Sequence, residues 1–345
     1  MKQMRAMSWA VLLGAFWAAA AGLQPAHAAD ANGFEWCDIT APGNAAYSGN
    51  RFGVNAGRGS VSYSYRMAKH EVTTGQWLEF YNTFSTQSDA LEDVMRDSTG
   101  TWPTAADPTY PFSAPGGRDV LNPTIPDAGR VAVKGMSWRI AALYCNWLHH
   151  EKSNDWNTIQ TGAYDARTFG QNPDGTFTDQ LTRSAGARFW IPSLDEWMKA
   201  VYFDPRSGGV WWDQPNGSNT QLVPGFPGQG QTSATLGASE WIPVGSYPDV
   251  RTPWGLLDAS GSASEWTEQV AFAGFGRLTC GSGDNDGTTT ADDAGSQSAA
   301  AFYQTNIGVR IASVIPNPGS IAVMAAWLLY QAARSRRDVT RTTAA

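Results

Sequence analysis

Apolar side chains recur with helical spacing at three places along this chain. Trp77, Phe80, Tyr81 and Phe84 stand at i, i+3, i+4 and i+7, one face of a helix over Thr74–Phe84. Thr73 or Thr74 can cap its start. A second helix begins after Ser137, a good N-cap, with Ile140, Tyr144, Trp147 and Leu148 on one face. Lys152 falls near its C-terminal end, where positive charge is favoured. The third start is the most explicit. Ser193 and Glu196 make a Ser-x-x-Glu capping box, acids fill the first turn, and Trp197, Ala200 and Val201 follow on the core side. A period of two over 60–67 and a short apolar run over 187–191 predict strands leading into the first and third helices. Residues 214–239 are rich in Gly, Pro, Ser and Thr, carry no period, and predict an ordered loop. No internal repeat is present.

The two ends follow different rules. Lys2 and Arg5 precede an apolar run over 7–23, and Ala26, His27 and Ala28 form a small-x-small cleavage site. This predicts a secretory signal peptide over 1–28, the alternative being an uncleaved anchor. Near the other end an apolar run over 321–330 precedes Arg334, Arg336 and Arg337. That run is shorter than the about 20 residues of a free-standing membrane span. Between the ends, 29–314 has the length of one domain.

Composition sharpens this picture. The 16 Trp and 36 Gly, with only 16% charged residues, predict many loops packed on aromatic anchors rather than long surface helices. Net charge is −7 over the whole chain. The middle is more acidic still, because Lys2, Arg5, Arg334, Arg336, Arg337 and Arg341 all lie outside it. Such a surface repels phosphate backbones, so no nucleic-acid partner is expected. Cys37, Cys145 and Cys280 are an odd number, so at least one thiol stays unpaired within the chain. Cys145 falls inside the second helix as a buried thiol, while Cys37 and Cys280 could pair.

Several segments together carry a family likeness: YRMAKHEV at 65–72, RFWIPSLDEW at 188–197, GLLDASGSASEW at 255–266 and GVR at 308–310. VKGMSW at 133–138, WWDQPNGS at 211–218 and VGSY at 244–247 extend it. The chain resembles the sulfatase-modifying-factor family, the formylglycine-generating-enzyme-like domain, whose own wording is close to GLYDMxGNVWEW, RGGSW and GFR. The resemblance implies an α+β fold, a large C-type-lectin-like variant with little regular secondary structure, over 33–314. The tail resembles a PEP-CTERM sorting segment, with Asn317 where that pattern has Glu. It implies export to the cell envelope or beyond and handling by the envelope sorting machinery. A short amphipathic helix docked on the domain is the other reading of the tail.

The family's oxidases use a pair of cysteines that hold copper(I), a soft ion that selects thiolates. The resemblance places that pair between the RGGSW-like turn and the final GFR, here 281–308. That interval has no Cys, His or Met. Cys280 lies in the turn itself, with Arg277 just before it. Copper is therefore not expected, and no catalytic residue is assigned. A related branch holds iron with three histidines. His70, His149 and His150 are the only ones after the leader, and the last two point about 100° apart on a helix. There is no Gly-x-Ser-x-Gly and no His-Glu-x-x-His.

Calcium is the cofactor the resemblance suggests. Ser262 and Glu265 would supply it, with Ser262 standing where the family has Asn; a hydrogen-bonded turn is the even alternative. Asp284, Asp286 and Asp293 form a second candidate with partial calcium-loop spacing, set against a solvated acidic loop. Arg277, Cys280 and Arg310 are expected to line a cleft. Trp211, Trp212, Trp254 and Trp266 are either core anchors or a platform for a glycan or peptide ligand. The expected function is a binding or display scaffold without the oxidase centre. The alternatives are a protein-modifying oxidase and a structural matrix component.

Overall fold

The computed structural model describes residues 29–49, 55–84, 112–113, 120–237, 240–296, 298–300 and 306–316. The expected signal peptide over 1–28, and the tail from 317 on, lie outside them.

The three expected helices are present, and their ends show why. Helix α1 is Thr74–Phe84. Thr73 is its cap: the Thr73 hydroxyl accepts from Gln76 N at 3.4 Å, while Thr73 N donates to Gln76 Oε1 at 3.0 Å. Helix α2 is Trp138–His149, with the Ser137 side chain accepting from Ile140 N. Lys152 lies past its end and reaches Glu79 of α1 at 2.6 Å. Helix α3 is Leu194–Tyr202, and both halves of the Ser193–Glu196 capping box form. Helices α1 and α2 meet through aromatic rings. Phe80 stands edge-on to Tyr144 at 5.6 Å and to Trp147 at 5.4 Å. Each such pair adds about 0.5–1.5 kcal/mol beyond area burial.

The strands are short. One antiparallel sheet runs in the order β1 (Trp36–Ile39), β2 (Tyr65–Ala68), β12 (Ala312–Ser313), β5 (Phe189–Trp190). The last strand of the domain thus lies between β2 and β5, so the two ends of the domain hold one sheet. A second sheet runs β10 (Ser298–Ala300), β9 (Gly276–Cys280), β8 (Ser264–Ala271), β11 (Ile307–Gly308), with β11 parallel to β8. Two small ribbons complete the set: β3 (Phe112–Ser113) with β4 (Val120–Leu121), and β6 (Phe203–Asp204) with β7 (Val210–Trp211).

Two strand expectations change. The 60–67 stretch becomes a strand only from Tyr65. Ahead of it, the Asn44 side chain accepts from Val61 N and the Ser60 hydroxyl donates to Asn44 O, so these backbone groups are satisfied without a partner strand. Within 187–191 only Phe189–Trp190 pairs. The described part of 214–239 is a loop with isolated bridges at Gln214–Ser218 and Pro224–Thr232. The β8–β9 hairpin has no counterpart in the sequence reading. Its first strand buries Glu265 and Glu268, which a period-two reading counts as polar.

Trp254 and Trp266 are core anchors, their indole N–H groups donating to Lys199 O at 3.1 Å and Met136 O at 2.9 Å. Trp211 is half-buried and seals Gly59, where an added Cβ would meet its ring at 2.2 Å. The three thiols are free and buried. Cys37 belongs to the larger core cluster and Cys280 to the smaller one, and the disulfide left open between them is not made.

Candidate functional site

Four segments of the family likeness converge on one buried ionic centre. Arg310 is fully buried and follows β11. Its guanidinium donates to Ala68 O and Lys69 O at 3.1 and 2.6 Å, to Leu257 O and Asp258 O at 2.9 and 3.1 Å, and to Glu265 Oε1 at 2.7 Å. Glu265 Oε2 also accepts from the Trp197 indole at 2.6 Å. Arg310 therefore ties β2, the 255–258 loop and β8, and Glu265 extends the tie to α3. Glu71 completes the centre, with Oε2 at 3.9 Å from Arg310. Burial holds the Glu71 carboxyl well above its ordinary range, and the Asp258 charge adds to this.

This arrangement decides what Ser262 and Glu265 can do. Both Glu265 oxygens are engaged by Arg310 and Trp197. Ser262 has φ +55°, and its N–H donates to the Ser233 hydroxyl at 2.8 Å. The pair as placed does not fit a calcium ion, which takes six to eight oxygen ligands.

The acidic loop after β9 likewise turns its carboxylates to separate protein partners. Asp284 pairs with Lys134, whose ammonium lies 4.7 Å from the centroid of the Trp241 ring. Burial pushes the Asp284 carboxyl up, and its Oδ1 has no hydrogen-bond partner among the described residues. Asp286 accepts from Gly283 N at 2.8 Å and from the Asn306 amide at 3.1 Å. Asp293 accepts from Gly295 N at 2.9 Å. The organising residue of the loop is Asp292. It is fully buried and accepts from Ser282 N, the Ser282 hydroxyl and the Ser260 hydroxyl at 2.8, 2.7 and 2.6 Å. Burial lifts its carboxyl to about 6. Sequence reasoning missed Asp292, because nothing local separates it from Asp293. Among the described residues no group of three or more His, Cys, Asp or Glu side chains is gathered as a metal would need.

Arg277, Cys280 and Arg310 do not share a cleft. Arg277 lies 3.8 Å from the centroid of the Trp138 ring and donates to Leu181 O, Glu268 O and Gln180 O. Cys280 is buried, and burial raises its thiol far above the ordinary value. Burial also raises Cys145 well above its usual value and Cys37 to about 11. Cys37 lies in β1, Cys145 inside α2 and Cys280 at the end of β9, none of them in the 281–308 interval. The residues present do not fit a two-cysteine copper site.

His70 pairs with a carboxylate. Its Nδ1 lies 2.7 Å from Asp258 Oδ2, which also accepts from Gly245 N at 2.7 Å. The ring borders a pocket of 200 Å³ with Glu35, Gln76 and Arg130. His149 Nδ1 accepts from Arg188 N, and His150 Nε2 meets Thr161 O.

A cleft of 570 Å³ lies beside the β8–β9 hairpin. Leu194 and Leu278 line it together with Arg58, Gln269 and Phe272. Arg58 binds Asp195 through Nε at 2.8 Å and Nη2 at 3.1 Å, and Nη2 also donates to Gln269 Oε1 at 2.7 Å. Sequence reasoning named none of these five residues as a site.

The family model for the sulfatase-modifying factor enzyme 1-like domain matches residues 38–315. The structure is similar to variable protein 1 of Treponema denticola, with a TM-score of 0.51 and 17% identity over 82% of this chain and 95% of that one. It also matches CarF, at TM-score 0.44 and 19% identity over 83% of this chain and 100% of that one. PvdO from Pseudomonas aeruginosa matches at TM-score 0.45 and 14% identity, over 84% and 98%. No curated protein matches the chain.

Proposed function

The chain belongs to the family of sulfatase-modifying factor enzyme 1-like domains, with the large C-type-lectin-like α+β fold of that family, and on that premise we propose that it is an exported binding scaffold without the copper oxidase centre. One observation carries this reading. The interval 281–308, where the family resemblance puts the copper ligands, contains no Cys, His or Met. Hard oxygens and amides do not replace the soft pair that copper(I) requires.

The domain turns these buried polar residues on itself instead. Arg310, Glu265 and Asp292 hold loops in place, which suits a rigid frame that presents a cleft. Export to the cell envelope is part of the proposal and rests on the N-terminal leader pattern and the Arg-ended tail. The ligand is a glycan or a peptide met outside the cell.

The test is to purify the secreted chain and measure copper(I) affinity by chelator competition, together with oxidation of a cysteine-containing peptide under oxygen. The expected result is weak copper binding and no turnover. Stoichiometric tight copper with aldehyde formation would overturn the reading. Fractionation of expressing cells tests the export half: the chain should be recovered outside the cytoplasm, shortened at its N-terminus.

A further inference from the structure

We propose that the 570 Å³ cleft beside the β8–β9 hairpin binds a neutral oligosaccharide without calcium, an inference that rests on the reading of the chain as a binding scaffold. The cleft volume lies in the about 300–1,000 Å³ range of small-molecule sites.

The first argument is the hairpin turn. Phe272 has φ +49° and Ala273 has φ +53°, ahead of Gly274 at +109°. Tight hairpin turns that need positive φ favour Asn, Asp and Gly, and a bulky residue there is an outlier. The Phe272 ring gains little from packing, since the residue is 57% exposed. A strained backbone that displays an aromatic ring at the lip of this cleft points to a ligand rather than to the core. An exposed ring offers a flat apolar face to the C–H side of a pyranose.

The second argument is the polar wall. Arg58 and Asp195 are each other's counter-ion, and their side chains are 33% and 32% exposed. The wall therefore carries paired charges, and a charged ligand gains no free partner there. Its hydrogen-bonding capacity is not used up. Asp195 accepts from Arg58 and from Gly59 N, and Gln269 Nε2 donates to Val270 O. Among the described residues a second N–H of Gln269 and the Nη1 hydrogens of Arg58, both lining residues, remain open. Sugar hydroxyls can accept from both. An apolar peptide side chain laid over them would strip their water and return no hydrogen bonds. Calcium is not needed, because among the described residues that line the cleft there is no carboxylate, and Asp195 behind the wall is held by Arg58.

The full-length secreted chain should be titrated with cellotriose, maltotriose, mannotriose and chitotriose by calorimetry, in EDTA, with a random octapeptide pool as the competing class. At least one trisaccharide should bind. Phe272→Gly should weaken that binding at least tenfold while leaving the unfolding midpoint unchanged or higher, and Gln269→Ala should weaken it several-fold. Absence of binding by all four sugars, binding that needs added calcium, binding unaffected by Phe272→Gly, or capture of peptides in place of sugars would each overturn the proposal. Failure of the scaffold reading shows separately, as copper-dependent turnover of a cysteine peptide.

Discussion

The two ends of the β8–β9 hairpin follow opposite physical rules. At the Ser264–Cys280 end, charged side chains lie in the core and are paired. Glu265 is 1% exposed and Arg310 0%. At the Ala271–Gly276 end, apolar rings stand in water on a left-handed turn: Phe272 is 57% exposed and Phe275 42%. Charge inside and phenyl outside is the reverse of the usual partition. The inner end shows the reason for one half of this. Arg310 reaches four backbone carbonyls, one at the end of β2 and three in the segments that follow β2 and precede β8, and no apolar residue could satisfy them. A fold with few long strands leaves many carbonyls without ladder partners, and a buried guanidinium supplies five donors at once.

The largest effect should come from breaking the inner end. Arg310→Met removes the partner of Glu265 and leaves four buried carbonyls open. Loss of about 3–5 kcal/mol is expected, the range for stranding one half of a buried ion pair. Urea unfolding measures it. Glu265→Gln should also destabilise, since its one amide oxygen can replace only one of the two carboxylate oxygens and its NH2 then faces an N–H of Arg310 or Trp197. If Arg310→Met proved neutral, the inner end would not be the anchor that the comparison requires.

Midway along β8, Glu268 gives the next largest effect, through pH. Burial pushes its carboxyl up to about 7 against the pull of Arg183, and burial lifts Asp292 to about 6. Both folded values lie above the unfolded ones, so the native state binds more protons between roughly pH 4 and pH 7. Stability is then fully present below pH 4.5 as far as these two groups are concerned, and falls as pH rises through 6 and 7. Each contributes about 3 kcal/mol by linkage. Thermal midpoints should drop from pH 5 to pH 8. Glu268→Gln should flatten the upper part of that fall, and a profile unchanged by it would assign the pH dependence elsewhere.

A smaller effect separates scaffold from enzyme. Cys280 is buried beside Ala259 and Leu278 in the smaller core cluster. Cys280→Ser places a hydroxyl there and should cost about 1–3 kcal/mol. Sugar binding at the cleft should persist in the folded protein, with copper affinity as weak as before.

The same contrast explains what could be read from the sequence. All three helices were legible, because capping is chemistry between residues three apart: Ser193 with Glu196, Ser137 with Ile140, Thr73 with Gln76. The β8 strand was not legible. Its pattern makes sense only once Arg310, 45 residues further on, has neutralised Glu265, and Arg183, 85 residues back, has met Glu268. The 60–64 stretch misled for the converse reason, since the Asn44 side chain and Gly43 N did the work of a neighbouring strand at Val61. The family frame was legible in GLLDASGSASEW and GVR, but these segments mark the ionic centre and not the cleft. Asp284, Asp286 and Asp293 had the right spacing for a shared ion. Spacing along a loop does not fix where side chains point, and each found its own partner. Phe272 carried no signal, because backbone conformation at a turn cannot be read from FAGF.

The smallest effect is the one that bears most on why the outer end is built as it is. Phe272→Gly removes an exposed ring and lets the φ +49° position relax. A non-glycine residue held in the left-handed region is strained by about 1 kcal/mol or more. Glycine adds flexibility to the unfolded chain, which works in the other direction by about 0.4–1 kcal/mol. The two nearly offset, so net stability should move by less than about 1 kcal/mol, in contrast to the several lost at Arg310. Asn, which tolerates the left-handed region without glycine's unfolded-state entropy, should therefore stabilise more than Gly at 272. If Phe272→Asn and Phe272→Gly both destabilised by more than 1 kcal/mol, the ring would be packing against the protein. The outer end would then be a second structural anchor, and its difference from the Arg310 end would be one of degree.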